Sequence, residues 1–352
     1  MKKISNSLIS WYRSNKRDLP WRTDATPYHV WLSEIILQQT RVNQGLDYYL
    51  RICETFPTIQ DLAAAKPDDV LKLWQGLGYY SRARNLHACA QQIVADYNGV
   101  FPKTKAELLK LKGVGDYTAS AIASIAFGES VVTIDGNVFR VLSRLFDIED
   151  PIDVNASRNI FRTLGEELLD GTNPGEMNQA LMEFGALQCT PISPDCGACV
   201  IRQNCQALAS DNITSRPVKR GKTKIKEVWH RYFIIHNDDQ VLVRQRPANG
   251  IWGGLFEFPV EETDRLPSWA QYPEADLSDW AQGASRIQPL YSTRHILSHR
   301  KINAAFIEIR LNELTPFTSD QQLISWDEFE KLAVSRLVDK FYRSPEFKKL
   351  ES

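Results

Sequence analysis

Two carboxylic acids in contrasting environments are the first candidates for chemistry in this sequence. Glu34 interrupts the apolar helical segment 30–42, whose side chains are expected to exclude water from its carboxyl. Burial raises the pKa of a carboxylic acid, and a raised pKa suits a general acid near neutral pH. At helical spacing Leu37, Gln38 and Arg41 share the face of Glu34, so a simple Glu–Arg ion pair is the alternative interpretation.

The second acid, Asp135, lies between the β-prone run 131–134 and a helix that is predicted to begin near Val138. As the N-cap it would accept backbone N–H bonds and face the positive end of the helix dipole, and both effects favour the anion. N-capping alone is the alternative role. One protonated and one ionised acid together suit cleavage of a glycosidic bond through an oxocarbenium-like transition state. Glu34 would protonate the leaving group, and Asp135 would stabilise or transiently trap the sugar cation.

Four of the six cysteines are concentrated in one short stretch, which predicts a metal centre. The intervals between them are six, two and five residues. Zinc sites usually use two close pairs, whereas one Cys-x-x-Cys flanked by two single cysteines favours a [4Fe–4S] cluster with a structural role. Zinc remains the alternative. The four predicted ligands are Cys189, Cys196, Cys199 and Cys205, while Cys53 and Cys89 lie in helical patterns and are expected to be core residues.

Length and composition indicate a globular chain with two domains. The 352 residues are 43% hydrophobic and 24% charged, with a formal net charge of −1 and a pI near 6.6. A net charge so close to zero is not typical of a nucleic-acid-binding protein, so any contact with DNA must come from local patches and backbone amides. The chain shows no secretory signal and no apolar run of membrane-spanning length, so we expect no membrane contact. We expect a monomer in the reducing cytoplasm, associated with the nucleoid if the source is bacterial.

The first predicted domain, residues 1–215, is mainly α-helical, and its centre is a glycine hairpin between two helices, at about 104–127. Gly113, Val114 and Gly115 would turn sharply there and present backbone N–H groups to a phosphate oxygen. An ordinary Gly-rich helix connection is the alternative. The predicted helices span 4–14, 28–43, 45–56, 68–75, 80–97, 104–111, 116–127, 136–146, 154–169 and 175–187.

A basic linker, residues 216–227, separates this domain from a second one at 228–350. The linker is interpreted as a solvated connector that is compatible with lying along a DNA backbone. The second domain is predicted to be α+β because its apolar runs are β-branched and aromatic. Its predicted strands span 229–236, 240–246, 255–259, 290–297 and 301–309, with short helices at 326–333 and 338–342.

Several of these motifs together resemble the helix-hairpin-helix DNA glycosylases. The hairpin 112–119 and the Asp-Gly-Asn-Val turn at 135–138 carry this resemblance, and the cysteine spacing is similar to that of the iron–sulfur loop, 189–205, of endonuclease III and MutY glycosylases. The stretches Leu-Pro-Trp-Arg at 19–22 and Gly-Leu-Gly-Tyr-Tyr-Ser-Arg-Ala-Arg-Asn at 76–85 resemble the MutY family of adenine DNA glycosylases. The resemblance implies a mainly α helix-hairpin-helix domain with a [4Fe–4S] cluster, followed by a MutT-like domain.

The resemblance also implies roles for single residues. Trp21, Arg22 and Glu183 would line the adenine pocket with Glu34, and Tyr117 and Asn137 would hold the sugar and a water molecule. Gln39, Thr40, Leu77 and Tyr79 would probe the duplex, although aromatic residues such as Tyr79 and Trp21 are more often core residues. Related glycosylase/lyases carry a lysine at the position of Tyr117, so the resemblance implies a monofunctional enzyme.

The second domain resembles a MutT-like Nudix domain over residues 247–259, but the glutamate-rich helix that holds Mg²⁺ does not follow. Pro267 argues against such a helix, so pyrophosphatase activity is not expected. MutY proteins read 8-oxoguanine through a Phe-Ser-His loop in this domain. The chain has Leu297 before Ser298 and His299, so it has the two polar side chains of that loop but not its aromatic ring.

The implied function is base excision repair, with adenine excised opposite 8-oxoguanine or, more weakly, guanine in double-stranded DNA. An endonuclease III-like lyase is disfavoured by Tyr117, and a thymine- or uracil-mismatch glycosylase leaves the second domain unexplained. A Nudix pyrophosphatase lacks its metal-binding helix. A non-enzymatic iron–sulfur protein would bind the mispair without releasing adenine.

Overall fold

A computed structural model describes residues 1–221, 225–271, 277, 282–316, 318–348 and 350 of the chain. The fold divides into two compact units. The first contains Met1–Ala64 and Asn85–Gly221, and the second contains Ala65–Arg84 and Lys222–Ser352. This division differs from the predicted boundary at 215 in one respect: the segment Ala65–Arg84, which was assigned to the first domain, packs with the C-terminal residues.

Helices dominate the chain up to residue 209, as predicted, and short 3₁₀ turns occur at Asn155–Ser157, Arg202–Asn204 and Ile213–Ser215. None of the described helices is both long and apolar enough to cross a membrane. The helices are α1 (Lys2–Asn15), α2 (Pro20–Thr23), α3 (Pro27–Leu37), α4 (Val42–Thr55), α5 (Ile59–Ala64), α6 (Pro67–Trp74), α7 (Ser81–Tyr97), α8 (Lys105–Leu108), α9 (Asp116–Phe127), α10 (Gly136–Leu145), α11 (Arg158–Leu169), α12 (Pro174–Leu187) and α13 (Gln206–Ala209).

The helix that carries Glu34 is shorter than predicted. It ends at Leu37 instead of continuing to residue 43, and Arg41 becomes the N-cap of α4, so the expected common face of Glu34 and Arg41 does not form. Residues 38–40 form a turn where the sequence predicted the end of the helix, and Gln39 adopts a left-handed φ of 57° in this turn. The Gln38 side chain donates to the Thr118 hydroxyl at 3.2 Å, a tertiary contact that holds this turn against α9.

The core of the first unit places α10 and α12 side by side. Buried apolar side chains from both helices, among them Val138, Leu142 and Phe184, pack with residues of α1 and α11. Glycine allows close approach at two points on α12. A Cβ on Gly175 would lie 2.8 Å from the Ser124 carbonyl oxygen, and a Cβ on Gly185 would lie 2.9 Å from the Asn137 carbonyl oxygen. The second approach holds the turn that carries Asp135 against α12.

The second unit has the predicted α+β organisation. Its sheet runs in the order β3-β2-β1-β6-β5, with β4 beside β1 and β7 beside β2, and β1 and β6 are parallel. Two of the strands, β4 and β7, were not predicted, because each is short and lacks an apolar run. The strands are β1 (Lys226–His236), β2 (Gln240–Gln245), β3 (Phe256–Glu257), β4 (Val260–Thr263), β5 (Arg286–Ile296), β6 (Arg300–Arg310) and β7 (Gln321–Ser325), and the helices are α14 (Trp326–Lys331), α15 (Arg336–Tyr342) and α16 (Pro345–Lys348).

The prediction that the whole of 216–227 is a solvated linker is wrong, because both ends of this stretch are fixed in the structure. Arg216 is buried and pairs with Asp147 and Glu149, each at 2.9 Å. The Asp153 carboxylate accepts the backbone N–H groups of Arg220 and Gly221 at 2.9 to 3.1 Å. Residues 216–221 are therefore fixed to the first unit, and 226–227 already belong to β1. Residues 222–224 of the predicted linker lie outside the described residues.

Candidate active site

A cavity of about 180 Å³ in the first unit brings most of the predicted catalytic residues together. Cavities of about 150 Å³ accommodate a benzene ring, so the volume suits one aromatic base. Glu34 and Asp135, separated by about a hundred residues in the chain, share this cavity. Its walls include the predicted residues Trp21, Arg22, Glu34, Thr40, Tyr117, Asp135, Asn137 and Glu183.

The Glu34 carboxyl projects from α3 and has the predicted properties of a proton donor. Burial raises its pKa to about 7, and the negative charge of Asp135 acts in the same direction. A hydrogen bond with the Tyr117 hydroxyl and the positive charge of Arg22 partly oppose this rise in pKa. Close to neutral pH, Glu34 therefore exists in both protonated and ionised forms, as a general acid requires.

Asp135 is the N-cap of α10, as predicted. One carboxylate oxygen accepts the Val138 N–H at 2.7 Å, and the other accepts the Asn137 side-chain amide at 2.7 Å. The predicted lowering of its pKa is wrong in direction. Burial raises the pKa of Asp135 above its ordinary value, because desolvation outweighs these two hydrogen bonds and the positive charge of Arg140.

A buried carboxylate and two arginines form the polar part of the cavity wall. Glu183 is 1% exposed and accepts bidentate hydrogen bonds from Arg17, at 2.8 and 2.6 Å, and from Arg22, at 3.0 and 2.8 Å. Burial alone would raise its pKa, but these bonds lower the pKa of Glu183 to about 2. Arg17 was not predicted, and the only sequence signal was its position shortly before the Leu-Pro-Trp-Arg motif. Trp21 is buried at the cavity and contacts Tyr49 edge-on.

Tyr117 stands at the start of α9, directly after the glycine hairpin. Its hydroxyl oxygen lies 3.4 Å from the Met182 sulfur, and burial next to Glu34 raises its pKa well above the usual value, so the phenol stays protonated. In the hairpin, Gly113 adopts a φ of 75° and Gly115 is exposed, whereas the Val114 side chain is buried. The sharp turn forms where the sequence predicted it, but the Val114 N–H donates to the Leu111 carbonyl at 3.2 Å and does not point outward as predicted.

The predicted duplex-probing residues are divided between the two units. Gln39 is exposed on its turn, and Thr40 lines the cavity. Leu77 and Tyr79 belong to the second unit and do not line the cavity. Leu77 is buried, at 6% exposure, while Tyr79 is 42% exposed and has a left-handed φ of 50°. Tyr79 is therefore not the ordinary core aromatic that was its alternative interpretation.

Arg140, which was not predicted, connects the Asp135 turn to the cysteine loop. Its guanidinium donates to the Asn137 side-chain oxygen at 2.8 Å, to the Gly185 carbonyl at 2.6 Å and to the Cys189 carbonyl at 2.8 Å. Asn137 in turn donates to Asp135. Arg140 on α10 is thus linked by hydrogen bonds to Asp135, through Asn137, and to the cysteine loop, through Cys189. The sequence signal for Arg140 was its position two residues after the motif at 135–138, on the same predicted helix.

The four predicted ligand cysteines line a second cavity of the first unit, together with Arg144 and Arg202. Arg144 fixes the loop by donating to the Thr190 and Pro191 carbonyls at 2.7 and 3.1 Å. Among the described residues, no three His, Cys, Asp or Glu side chains converge on a point suited to one metal ion. Four cysteine thiolates around one cavity are the donor set that a [4Fe–4S] cluster takes, so these residues fit such a cluster.

Ser298 and His299 occupy the turn between β5 and β6. Both are exposed, and the Ser298 hydroxyl lies 3.2 Å from His299 Nδ1. Leu297 closes the turn through its N–H, which donates to the Arg300 carbonyl at 2.8 Å. Residues 260–263 form β4, and the structure places no helix within 261–267, so the metal-binding helix of a Nudix hydrolase is missing from this described stretch, as expected.

Comparison with known protein families matches both units. Residues 32–166 match the HhH-GPD superfamily of base excision DNA repair proteins, and residues 231–344 match the NUDIX domain family. A solved thermostable thymine-DNA glycosylase superposes with a TM-score of 0.54 at 26% identity, covering 59% of this chain and 95% of that one. A non-covalent endonuclease III–DNA complex gives a TM-score of 0.51 at 22% identity, covering 60% and 98%, and supports the fold.

Curated relatives extend over nearly the whole chain. The adenine DNA glycosylase of Rattus norvegicus is 34% identical over 96% of this chain and 77% of its own length. That of Homo sapiens is 35% identical, covering 96% and 73%. The adenine DNA glycosylase of Buchnera aphidicola subsp. Baizongia pistaciae is 32% identical, covering 90% and 89%. With this identity over both units, and with Glu34 and Asp135 in one base-sized cavity, the chain belongs to the adenine DNA glycosylase family.

Proposed function

We propose that this glycosylase is monofunctional and releases adenine paired with 8-oxoguanine or guanine in double-stranded DNA. The observation that carries the proposal is the shared cavity, in which Glu34, with a pKa of about 7, and Asp135 lie beside a wall suited to one base. The relatives are named adenine DNA glycosylases, and adenine is therefore the base that we propose for this chain. The test is single-turnover base release from duplexes with adenine opposite 8-oxoguanine, guanine, cytosine or thymine, and the first two should react.

In the proposed reaction the adenine leaves the base stack and enters the cavity beside Trp21. Arg22 and the Glu183 carboxylate provide fixed polar groups for the edge of the base. The Glu34 carboxyl donates its proton to a ring nitrogen as the C1′–N9 bond breaks and its electron pair leaves with adenine. The Asp135 carboxylate, held by two hydrogen bonds of 2.7 Å, stabilises or traps the sugar cation. A water adds to C1′, and one of the two carboxylates accepts its proton.

A lyase reaction would require an amine to attack C1′ and form a Schiff base. None of the described residues that line the cavity is a lysine, and Tyr117 occupies the wall next to Glu34. Borohydride reduction during turnover should therefore give no covalent enzyme–DNA adduct. Recovery of an adduct would show that the enzyme is a glycosylase/lyase.

The four clustered cysteines are proposed to hold a [4Fe–4S] cluster, which would crosslink the 189–205 loop. Support comes from the common cavity that the four side chains line and from the six-, two- and five-residue intervals between them. The purified protein should contain about four iron atoms per chain. Replacing Cys199 with serine should lower that content, and stoichiometric zinc in place of iron would contradict the assignment.

Ser298 and His299 are proposed to give preference for 8-oxoguanine, because their exposed polar atoms lie together at the tip of the β5–β6 turn. Replacing both with alanine should narrow the ratio of single-turnover rates between 8-oxoguanine and guanine mispairs by about 30-fold, since two lost hydrogen bonds at about 1 kcal/mol each amount to about 2 kcal/mol. An unchanged ratio would place recognition elsewhere.

Replacing Arg140 with methionine should slow base release, because Asn137 and Asp135 lose the support of its guanidinium. We expect a fall of at least about tenfold in single-turnover rate, with binding of the duplex little changed. Arg162, exposed on α11 and outside the cavity, offers the matched control Arg162→Met. Equal rates for the two variants would show that Arg140 does not position the catalytic turn.

A further inference from the structure

The segment Ala65–Arg84 is part of the second unit although it precedes that unit by more than a hundred residues in the chain. Three separate regions of the C-terminal part hold it. They are the end of α14, the helix α15 and the 248–253 loop. A segment held at three points by distant residues is positioned by tertiary contacts, not by its own helical propensity.

At the first point, the ammonium group of Lys72 on α6 donates to the Glu330 and Leu332 carbonyls at 2.6 and 2.9 Å. These carbonyls lie at the C-terminal end of α14, where a cation is favourable. At the opposite end of the segment, the Arg84 guanidinium donates to the Gly253 and Ala248 carbonyls. Both cations thus bind backbone carbonyls of the second unit.

Between these cations, Gln75 and Tyr80 make the central contacts. The Gln75 side chain donates to the Asp339 carboxylate at 3.1 Å and accepts the Val334 N–H at 3.4 Å. The Tyr80 hydroxyl accepts the Gly76 N–H at 3.1 Å and donates to the Val334 carbonyl at 3.3 Å. Gln75 and Tyr80 bracket the turn Gly76–Tyr80, so both ends of the turn are tied to α15 and to the strand-like segment at Val334.

The turn itself is strained and presents an aromatic ring. Gly76 and Gly78 have φ values of 95° and 79°, and Tyr79, a non-glycine residue, has a φ of 50°. Tyr79 is 42% exposed, and the Arg82 guanidinium carbon lies 5.6 Å from the centre of its ring. Arg82 also donates to the Gly78 carbonyl at 3.3 Å. A left-handed non-glycine residue persists only where its neighbours hold it, and an exposed ring with a cation near it is a stacking surface for a base.

We propose that the second unit positions the Gly76–Tyr80 turn for stacking against duplex DNA, and that Gln75 and Tyr80 are the positioning residues. This inference rests on the proposed function and on the duplex-probing role that the family resemblance implies for Tyr79, and it adds the contacts of Gln75 and Tyr80 that hold the turn. The C-terminal unit then has two tasks. Its β5–β6 turn contacts the damaged base, and its contacts with Ala65–Arg84 keep the Tyr79 ring in place while adenine leaves the stack.

The test uses the full-length protein with Gln75→Ala and Tyr80→Phe, and with Arg343→Ala as the matched control. Arg343, the C-cap residue of α15, pairs with the same Asp339 carboxylate at 2.9 Å. Hydrogen exchange of the 76–80 amides should accelerate about 3- to 10-fold in the first two variants, since each lost hydrogen bond is worth about 1 kcal/mol. The control should exchange like the wild type.

Base release provides the second readout. In single turnover, Gln75→Ala and Tyr80→Phe should release adenine about 3- to 10-fold more slowly from a paired duplex. Adenine opposite an abasic site, which is easier to unstack, should be released at nearly the wild-type rate. Unchanged amide exchange would overturn the positioning role, and equal slowing on both substrates would overturn the link to stacking. If the wild type released no adenine at all, the proposed function would fail while the exchange result would still decide whether the second unit holds the turn.

Discussion

Replacing Glu34 with glutamine is expected to abolish detectable base release while duplex binding persists. Glutamine keeps the size and polarity of the side chain but has no proton to give to the leaving adenine. General acid catalysis contributes about 100- to 10,000-fold, and we expect a loss of this order in the single-turnover rate. The matched control is Glu176→Gln, because Glu176 lies on α12 outside the cavity and pairs with Arg13 near the surface.

The same substitution should stabilise the folded protein above neutral pH. The folded-state pKa of Glu34 is about 7, above its ordinary value of 4.5, so the native state binds this proton more tightly than the unfolded state does. The contribution of Glu34 to the free energy of unfolding is fully present below about pH 4.5 and is lost as the pH rises through 7. Thermal unfolding at pH 8 should therefore show a higher midpoint for Glu34→Gln than for the wild type. Retained turnover in this variant would refute the assigned proton donor.

Asp135→Asn is the second substitution for which we expect a large effect. Asparagine is as good an N-cap as aspartate, so α10 should keep its start, but the negative charge next to the developing sugar cation is removed. Loss of one such electrostatic contact costs about 100- to 1,000-fold in rate. Single-turnover base release measures this loss, and binding of an uncleavable duplex should change little.

Measurements of stability distinguish a catalytic role of Asp135 from a purely structural role as the N-cap of α10. Burial raises the pKa of Asp135, so the ionised carboxylate is destabilising at neutral pH, and Asp135→Asn should unfold at the same temperature as the wild type or higher. Ser325→Ala, which removes the capping hydroxyl of α14 in the second unit, is the contrasting control. It should lower the free energy of unfolding by about 1 kcal/mol and leave base release unchanged. A large loss of stability in Asp135→Asn with normal turnover would make Asp135 a structural residue.

Local sequence chemistry was sufficient to identify the two acids of the cavity, whereas the family resemblance implied the other predicted wall residues, Trp21, Arg22, Thr40, Tyr117, Asn137 and Glu183. A single acid within the apolar segment 30–42 predicted a raised pKa, and desolvation is indeed the largest cause of the shift at Glu34. The Asp135 N-cap and the glycine hairpin followed from turn and capping preferences, which act over a few residues. The β1–β2 hairpin and the exposed turn at Ser298 also formed where the residue pattern predicted them.

The features that could not be predicted depend on contacts between distant residues. Helix α3 ends at Leu37, where the following residue, Gln38, binds Thr118 on α9. The direction of the Asp135 pKa shift depends on how deeply the N-cap is buried, which capping rules do not contain. The place of Ala65–Arg84 in the second unit rests on partners such as Asp339, more than 250 residues away. Arg17 and Arg140 reach their partners in the same way.

The pH dependence of single-turnover adenine release tests most directly whether Glu34 supplies the proton. With a pKa of about 7 for Glu34, the wild-type rate on an 8-oxoguanine:adenine duplex should be constant in weak acid. It should fall as the pH rises through 7, approaching a tenfold loss per pH unit. The residual rate of Glu34→Gln should not show this fall. A wild-type rate that stays constant or rises between about pH 6 and pH 9 would contradict the account.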